Sequence, residues 1–282
     1  MSWAMRIAMQ LAPYLHLCRT AFLTRMAYRM RYVTGIATYS IFVGVHYAVW
    51  SAVYASLAEG EEIGGMDLRT LATYLAVGYM ARAAYYTNTD SEIATRFQSG
   101  EVVMDLIKPL NFHGNWLAQG AGETLFRLLF FTLPMALVMV PLFGVLPPAE
   151  NGWWQFTLLF LIAFWINAEI NLLAGTLCFY LEDITGLMSL KRNLVMLASG
   201  LMVPLHFLEP LIGSMGVFIL ISTPLAFIGY FPTLAYTGTL EQSGLGSFAT
   251  VCALGLMWVL ILRLGNIRLW RHAQNRLQVQ GG

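Results

Sequence analysis

Few side chains in this sequence can do chemistry, and those few are specifically spaced. Glu101, Asp105 and Lys108 fall within SGEVVMDLIKPLN (99–111), Glu169 stands between Asn167 and Asn171 in an apolar run, and Glu123 precedes Arg127 by four residues. An acid such as Glu169 can pass a proton or ion along a polar path, or it can join helices through buried hydrogen bonds. The sequence leaves both readings open. Glu123 and Arg127 are in the favourable order for an ion pair on one helix face. Arg82 lies far enough along its apolar run for its long side chain to snorkel toward an interface.

No G-x-x-x-x-G-K-[ST] loop is present to cradle phosphate, nor any H-E-x-x-H or G-x-S-x-G. His16, His46, His113, His206 and His272 are scattered, and His46 and His206 in apolar runs fit packing better than ligation. Cys18, Cys178 and Cys252 lack metal-ligand spacing and read as small apolar fillers. The expectation is a chain without a catalytic centre, bound metal or cofactor of its own.

These polar residues must be positioned by elements that are mostly apolar. Of 282 residues, 58% are hydrophobic and 11% charged, with a mean hydropathy of +0.63. A soluble domain carries about 25% charged residues, so this chain has too little charge to cover itself in water. Runs 125–146 and 156–181 reach or exceed the roughly 20 residues that cross a hydrocarbon core. The pattern predicts an all-α, multi-pass membrane protein. A net charge of +1 gives no basic excess, and no nucleic-acid partner is expected. The first eighteen residues resemble a secretory signal only loosely: Arg6 interrupts them, Pro13 and His16 break the apolar core, and no small-residue cleavage site follows. The N-terminus is expected to be retained.

Hydropathy places spans near 34–57, 71–86, 125–143, 156–181 and 248–264. Between the last two lie a short run, 194–208, containing Pro204, and a second, 211–231, containing Pro224, separated by Glu209-Pro210. Basic residues decide the count, because Lys and Arg near span ends mark the cytoplasmic side. Arg6, Arg19, Arg25, Arg29 and Arg31 precede the first span and Arg263, Arg268, Arg271 and Arg276 accompany the last, while Glu59, Glu61, Glu62, Asp67, Glu150, Glu209 and Glu241 occupy the alternate loops. Both termini are therefore expected in the cytoplasm, with six spans and a re-entrant outer segment at 209–232. An ordinary seventh helix is the alternative. Residues 1–33 read as a Pro13-interrupted, arginine-rich helix along the cytoplasmic interface, resting on anionic lipid or on a partner.

In 100–108, Val102, Val103, Leu106 and Ile107 recur at helical spacing, with Glu101, Asp105 and Lys108 on the other side, and Pro109 ends the helix. Thr89-Asp90-Ser91-Glu92 has the form of a capping box starting an earlier helix. Spacing alone fits a loop at 89–114 resting on lipid as well as it fits a docking element.

The segment IATRFQSGEVVMDLIKPLNFHGNWLAQGAGE (93–123) resembles the cytoplasmic loop of bacterial ATP-binding cassette permeases of the type-2 class, specifically the viologen-exporter-like subfamily. Arg96, Gly100, Glu101, Asp105, Leu106, Lys108, Pro109 and Leu110 match that pattern in order. Tyr28-Arg29, Trp50 with Tyr54, Ser199-Gly200 with Pro204, Tyr230 with Pro232, and the terminal Gln280-Gly281-Gly282 extend the likeness over nearly the whole chain. One departure is Cys178-Phe179-Tyr180, where a Phe-Trp pair closes the fourth span in the pattern. The resemblance implies one transmembrane domain over 1–282 in the bacterial inner membrane, functioning as an exporter. It implies a dimer, with a second copy or a related permease, served by two cytoplasmic ATPase subunits that bind the ATP and Mg. It also makes Arg96, Gly100, Glu101, Asp105, Leu106, Lys108 and Pro109 the ATPase-coupling residues. A secondary transporter using Glu169 as its ion site, and a non-transporting scaffold or channel subunit, are the other classes the residues allow.

Overall fold

A computed structural model describes residues 3–27, 30–58, 60–107, 110–181 and 185–280. Tyr28, Arg29, Glu59, Lys108, Pro109, Gly281 and Gly282, which figure in the sequence reading, lie outside them, as do the side chains of Arg6, Arg31, Leu106, Arg276 and Gln280.

Helix α3 (Leu68–Tyr85) organises the rest. Asp67 caps its start by accepting a 2.9 Å hydrogen bond from the Thr70 N–H, and hydrogen bonding from Thr70 holds the Asp67 carboxyl below its ordinary pKa. Every residue from Leu71 to Tyr85 is buried. A helix apolar or small on all sides belongs inside a bundle, and Ala72, Ala76, Gly78, Ala81, Ala83 and Ala84 let its neighbours come close. Around it stand α2 (Met30–Ala55), the continuous helix made of α6 (Phe112–Arg127), a π turn at Leu128–Thr132 and α7 (Leu133–Phe143), and α8 (Gly152–Leu177). Pro134, which lacks an N–H, follows the π turn and accounts for the widened ladder there. α2 turns Ile41, Val45 and Val49 outward, as a lipid-facing helix should. α12 (Phe248–Gln280) packs along α8. Among the described residues four helices are long and apolar enough to cross a membrane: Thr34–Ala55, Phe112–Phe143, Gly152–Leu177 and Phe248–Gln274.

Hydropathy misjudged several boundaries because it registers oil rather than hydrogen bonding. The third long helix begins at Phe112, capped by Asn111 accepting from the Gly114 N–H, although 112–124 is too polar to read as a span. α12 likewise continues past residue 264 through its arginines. The run 194–208 is not one helix. α9 (Thr185–Ala198) starts earlier and ends before Gly200, and a 3-10 turn follows at Leu205–Leu208. The run 211–231 is likewise divided, into α10 (Glu209–Ile221), a 3-10 turn at Pro224–Ile228 and α11 (Tyr230–Thr237). Gly213 at φ +73° kinks α10, a conformation disfavoured for side-chain-bearing residues. α11 packs between α3 and α8.

Each break leaves backbone carbonyls to be satisfied, and neighbouring side chains supply the donors. Tyr74 donates to the Gly200 carbonyl, Tyr85 to that of Ile228, and Trp258 to that of Ser222 at 2.7 Å.

The expected interruption at Pro13 is corrected: α1 (Trp3–Ala27) runs through it as one helix. Its packing against α6 explains the continuity. A Cβ on Gly122 would stand 2.0 Å from the Cys18 carbonyl oxygen, and one on Gly114 would stand 2.7 Å from the Tyr14 ring. The missing side chains let α1 lie close against α6 at Tyr14 and Cys18.

Tyr85→Phe removes one buried donor and leaves the Ile228 carbonyl unpaired. The expected cost is about 1 kcal/mol, read as a lower unfolding midpoint of the detergent-purified protein by intrinsic fluorescence. An unchanged midpoint would show that the break is held by packing alone.

Candidate functional site

The polar residues gather at the end of the bundle where α3 gives way to α4 (Thr89–Gln98) and α5 (Val102–Leu106). The capping box at Thr89 does not form. Asn88 is the N-cap, without a side-chain bond, and the Thr89 hydroxyl bonds that of Thr87 instead. α4 is fixed through its charges, and each bonds to a different helix. Asp90 pairs with Lys191 of α9, Glu92 with Arg25 of α1, and Arg96 with Asp105 of α5. Ile93 of α4 rests against Gly175 of α8, where any side chain would collide.

Asp105, which helical spacing places on the polar side with Glu101, faces inward. Its side chain is 1% exposed and takes both carboxylate oxygens to Arg96 Nη1, at 3.0 and 3.1 Å. Arg96 in turn lies 5.2 Å from the Trp116 ring centroid, a cation–π contact that helps hold the pair inward. With Asp105 and Val102 turned in, α5 presents Val103, Met104 and Ile107, 54%, 60% and 68% exposed, with Glu101 exposed at its start. The exposed face is thus apolar. Gly100 at φ +76° makes the turn that doubles α5 back under α4. Leu106 falls within α5, and Lys108 and Pro109 fall outside the described residues.

Glu123 and Arg127 are paired at 2.9 Å, and Arg25 joins them with a 2.9 Å bond to the other Glu123 oxygen. The Arg127 guanidinium also lies over the Tyr32 and Tyr86 rings, at 5.2 and 5.7 Å. The sequence reading missed Arg25, since its partners lie 67 and 98 residues away.

Glu169 is fully buried between α8 and α12. Asn266 Nδ2 donates to Glu169 Oε2 at 2.7 Å and to its backbone carbonyl at 2.9 Å, while Arg263 reaches Oε1 at 3.5 Å. Asn167 donates to the Tyr85 carbonyl and Asn171 to that of Thr87, closing the end of α3, and Asn171 also accepts from Lys191. The three intramembrane polar residues therefore face two different neighbours rather than one shared channel. Arg82 does not snorkel free. It is 8% exposed, with its guanidinium 5.3 Å from the Tyr86 ring centroid. Among the described residues no three His, Cys, Asp or Glu side chains converge as a metal site would require.

Residues 40–281 match the family model described as ABC-2 family transporter protein. The chain belongs to the ABC-2 transporter family. Members are multi-pass membrane permeases that carry no ATPase domain of their own. No curated protein and no solved structure matches the chain. In this permease the family match spans the α4–α5 element, most of the first long apolar helix and the whole of the other three.

Glu169→Ala and Asn266→Ala should each lower the unfolding midpoint of the permease by removing one side of a buried contact. Together they should cost less than the sum, with a coupling of about 0.5–2 kcal/mol. Additive losses in the double-mutant cycle would show that the α8–α12 contact does not depend on this bond.

Proposed function

We propose that this permease is the membrane subunit of an ATP-driven exporter, working as a dimer with a second copy or a related permease and coupled to two separate ATPase subunits that bind ATP and Mg. The observation that carries the reading is the exposed apolar face of α5 on an element too firmly tied to move alone. Force from a partner reaches the spans only through a stiff piece that is joined to them and accessible from outside. α5 meets both conditions: Asp105 locks it to α4, and α4 is ion-paired to α1 and α9 and packed on α8.

On this reading Val103, Met104 and Ile107 fill an apolar groove of the ATPase, and Arg96 and Asp105 set the angle of the helix rather than touch the partner. Glu101 flanks that contact. ATP-driven closure of the partners then biases the permease between inward-open and outward-open or collapsed states.

Both termini and the α4–α5 element lie in the cytoplasm. Six crossings are made by α2, α3, the α6–α7 helix, α8, α9 with the segment that follows it, and α12. α10 and α11 dip into the membrane from the outer side and return. Support for this dip comes from Trp258 and Tyr85 donating to its deepest carbonyls, Ser222 and Ile228, while its returning end at Tyr236 accepts from the Ala149 N–H beyond α7. An ion site at Glu169 is disfavoured, because both carboxylate oxygens already have protein partners.

Two measurements check this. In a background with Cys18, Cys178 and Cys252 replaced, single cysteines at Gln278 and Glu150 should label from opposite sides of the membrane, and labelling from one side would overturn the six-span arrangement. Permease purified from native membranes should carry ATPase activity with it. Val103→Asp with Ile107→Asp should abolish co-purification, since burying two unpaired carboxylates in an apolar groove costs several kcal/mol, while Glu101→Lys should weaken it far less. Full ATPase recovery with the double aspartate variant at equal expression would mean that α5 rests on lipid.

A further inference from the structure

We propose that the cavity of about 370 Å³ between α2, α3 and α9 is a substrate site for an amphipathic organic anion, a flat apolar body bearing one sulfonate, carboxylate or phosphate head. The proposal rests on the transport reading above for its purpose, but the site is argued from its own chemistry.

Tyr39, Phe42, Tyr79 and Tyr86 line the cavity together with Arg82 and Arg192, and no Asp or Glu lines it. Its volume falls within the roughly 300–1,000 Å³ of small-molecule sites. Ring faces and edges suit a flat apolar body, and guanidinium groups suit an oxyanion through paired N–H donors.

The charge balance at this end of the bundle is uneven. Asp90 is engaged by Lys191, Glu123 by Arg25 and Arg127, Glu92 by Arg25, and Glu169 by Arg263. Among the described residues, Arg82 and Arg192 have no carboxylate within ion-pair distance. Arg192 donates only to the Ser189 hydroxyl, at 3.5 Å, and Arg82 has the Tyr86 ring. A guanidinium that is 8% exposed, in a span and without a counter-charge, is costly to keep unless an anion is supplied at some point in the working cycle.

A smaller cleft of about 80 Å³ adjoins it, and Arg82, Tyr86 and Arg192 line both. The cleft adds Asn167, Asn171 and Lys191 and is therefore polar, although Asp90, held by Lys191, also lines it. The anionic head belongs where the two meet, at Arg82 and Arg192. The body lies among the aromatic rings, open toward the side where α2 faces lipid.

The test is equilibrium binding of radiolabelled 1-naphthalenesulfonate to the full chain in phosphatidylcholine nanodiscs, with the size-matched cation 1-naphthyltrimethylammonium as control. The sulfonate should bind saturably and the cation at least about tenfold more weakly, the ratio expected when one charge-assisted hydrogen bond is made or lost. Arg82→Gln and Arg192→Gln should each weaken sulfonate binding by about tenfold, with Arg82→Lys recovering part of the loss. Arg192 is exposed, so its variant decides the matter if Arg82→Gln fails to fold.

Equal binding of the cation, or undiminished sulfonate binding in folded Arg192→Gln, overturns the proposal. Phosphatidylglycerol added to the discs should leave sulfonate binding in place. If it abolishes that binding, the site is a lipid headgroup site and the substrate assignment fails. The ATPase is not needed for this measurement, so absence of ATPase activity from the purified wild-type permease would sink the exporter reading while leaving the anion site standing, and the reverse holds too.

Discussion

A carbonyl buried away from water must find its donor within the protein, and this permease breaks several of its helices where neighbouring helices pack around the freed groups. The breaks at Gly200, Ser222 and Ile228 persist because Tyr74, Trp258 and Tyr85 each place a donor on the freed carbonyl. The end of α3 is closed in the same way, by Asn167 and Asn171 donating to the Tyr85 and Thr87 carbonyls. Two of these donors sit on α3 itself and two more act on its end, so burial of α3 and tolerance of the broken segments require each other. An α3 exposed to lipid on one face could not reach all these partners. The small residues of α3 that let α2, α8 and α11 approach are therefore part of the same hydrogen-bonding solution.

At the loop end the constraint is electrostatic. α4 is short and polar, yet each of its three charged residues is bonded to a different helix, and Ile93 closes on Gly175. In water such pairs contribute little individually. Here their value is geometric, because a helix tethered at three separated points cannot rotate without moving what it is tethered to. Arg25 is central to this, since it bonds both Glu92 on α4 and Glu123 on α6. The N-terminal helix thus closes a loop of contacts that returns through α6 to α3.

The class of the molecule was legible in the sequence because mean hydropathy and the length of apolar runs follow directly from the bilayer. The turn at Gly100 and the short helix after it were legible as well, since turn and helix chemistry are local. Orientation within that element was not. Helical spacing separates Val102, Val103, Leu106 and Ile107 from Glu101 and Asp105, but it does not say which side faces in, and an arginine nine residues away turned Asp105 inward. The partners of Glu169, Asp90 and Arg25 lie 67 to 101 residues off in the chain, where no periodicity reaches. The broken helices were hidden for a related reason: a proline marks that a ladder is interrupted, while whether the chain crosses or turns back depends on which distant side chain satisfies the carbonyls.

The inward turn of Asp105 also changes what kind of contact α5 can make. A charged docking face would draw its strength from long-range attraction and would loosen as salt rises. An apolar face held at a fixed angle by a half-buried ion pair draws its strength from excluded water, and its specificity from the shape of three side chains. The charge that the sequence places in this helix therefore acts within the permease. Arg96 and Asp105 tie α5 to α4, and Asp90 and Lys191 tie α4 to α9. α9 carries Arg192 and, with α2 and α3, lines the aromatic cavity. A push on three apolar side chains outside the bundle is in this way connected, by two ion pairs and one short helix, to the wall of the cavity that holds the two unneutralised arginines.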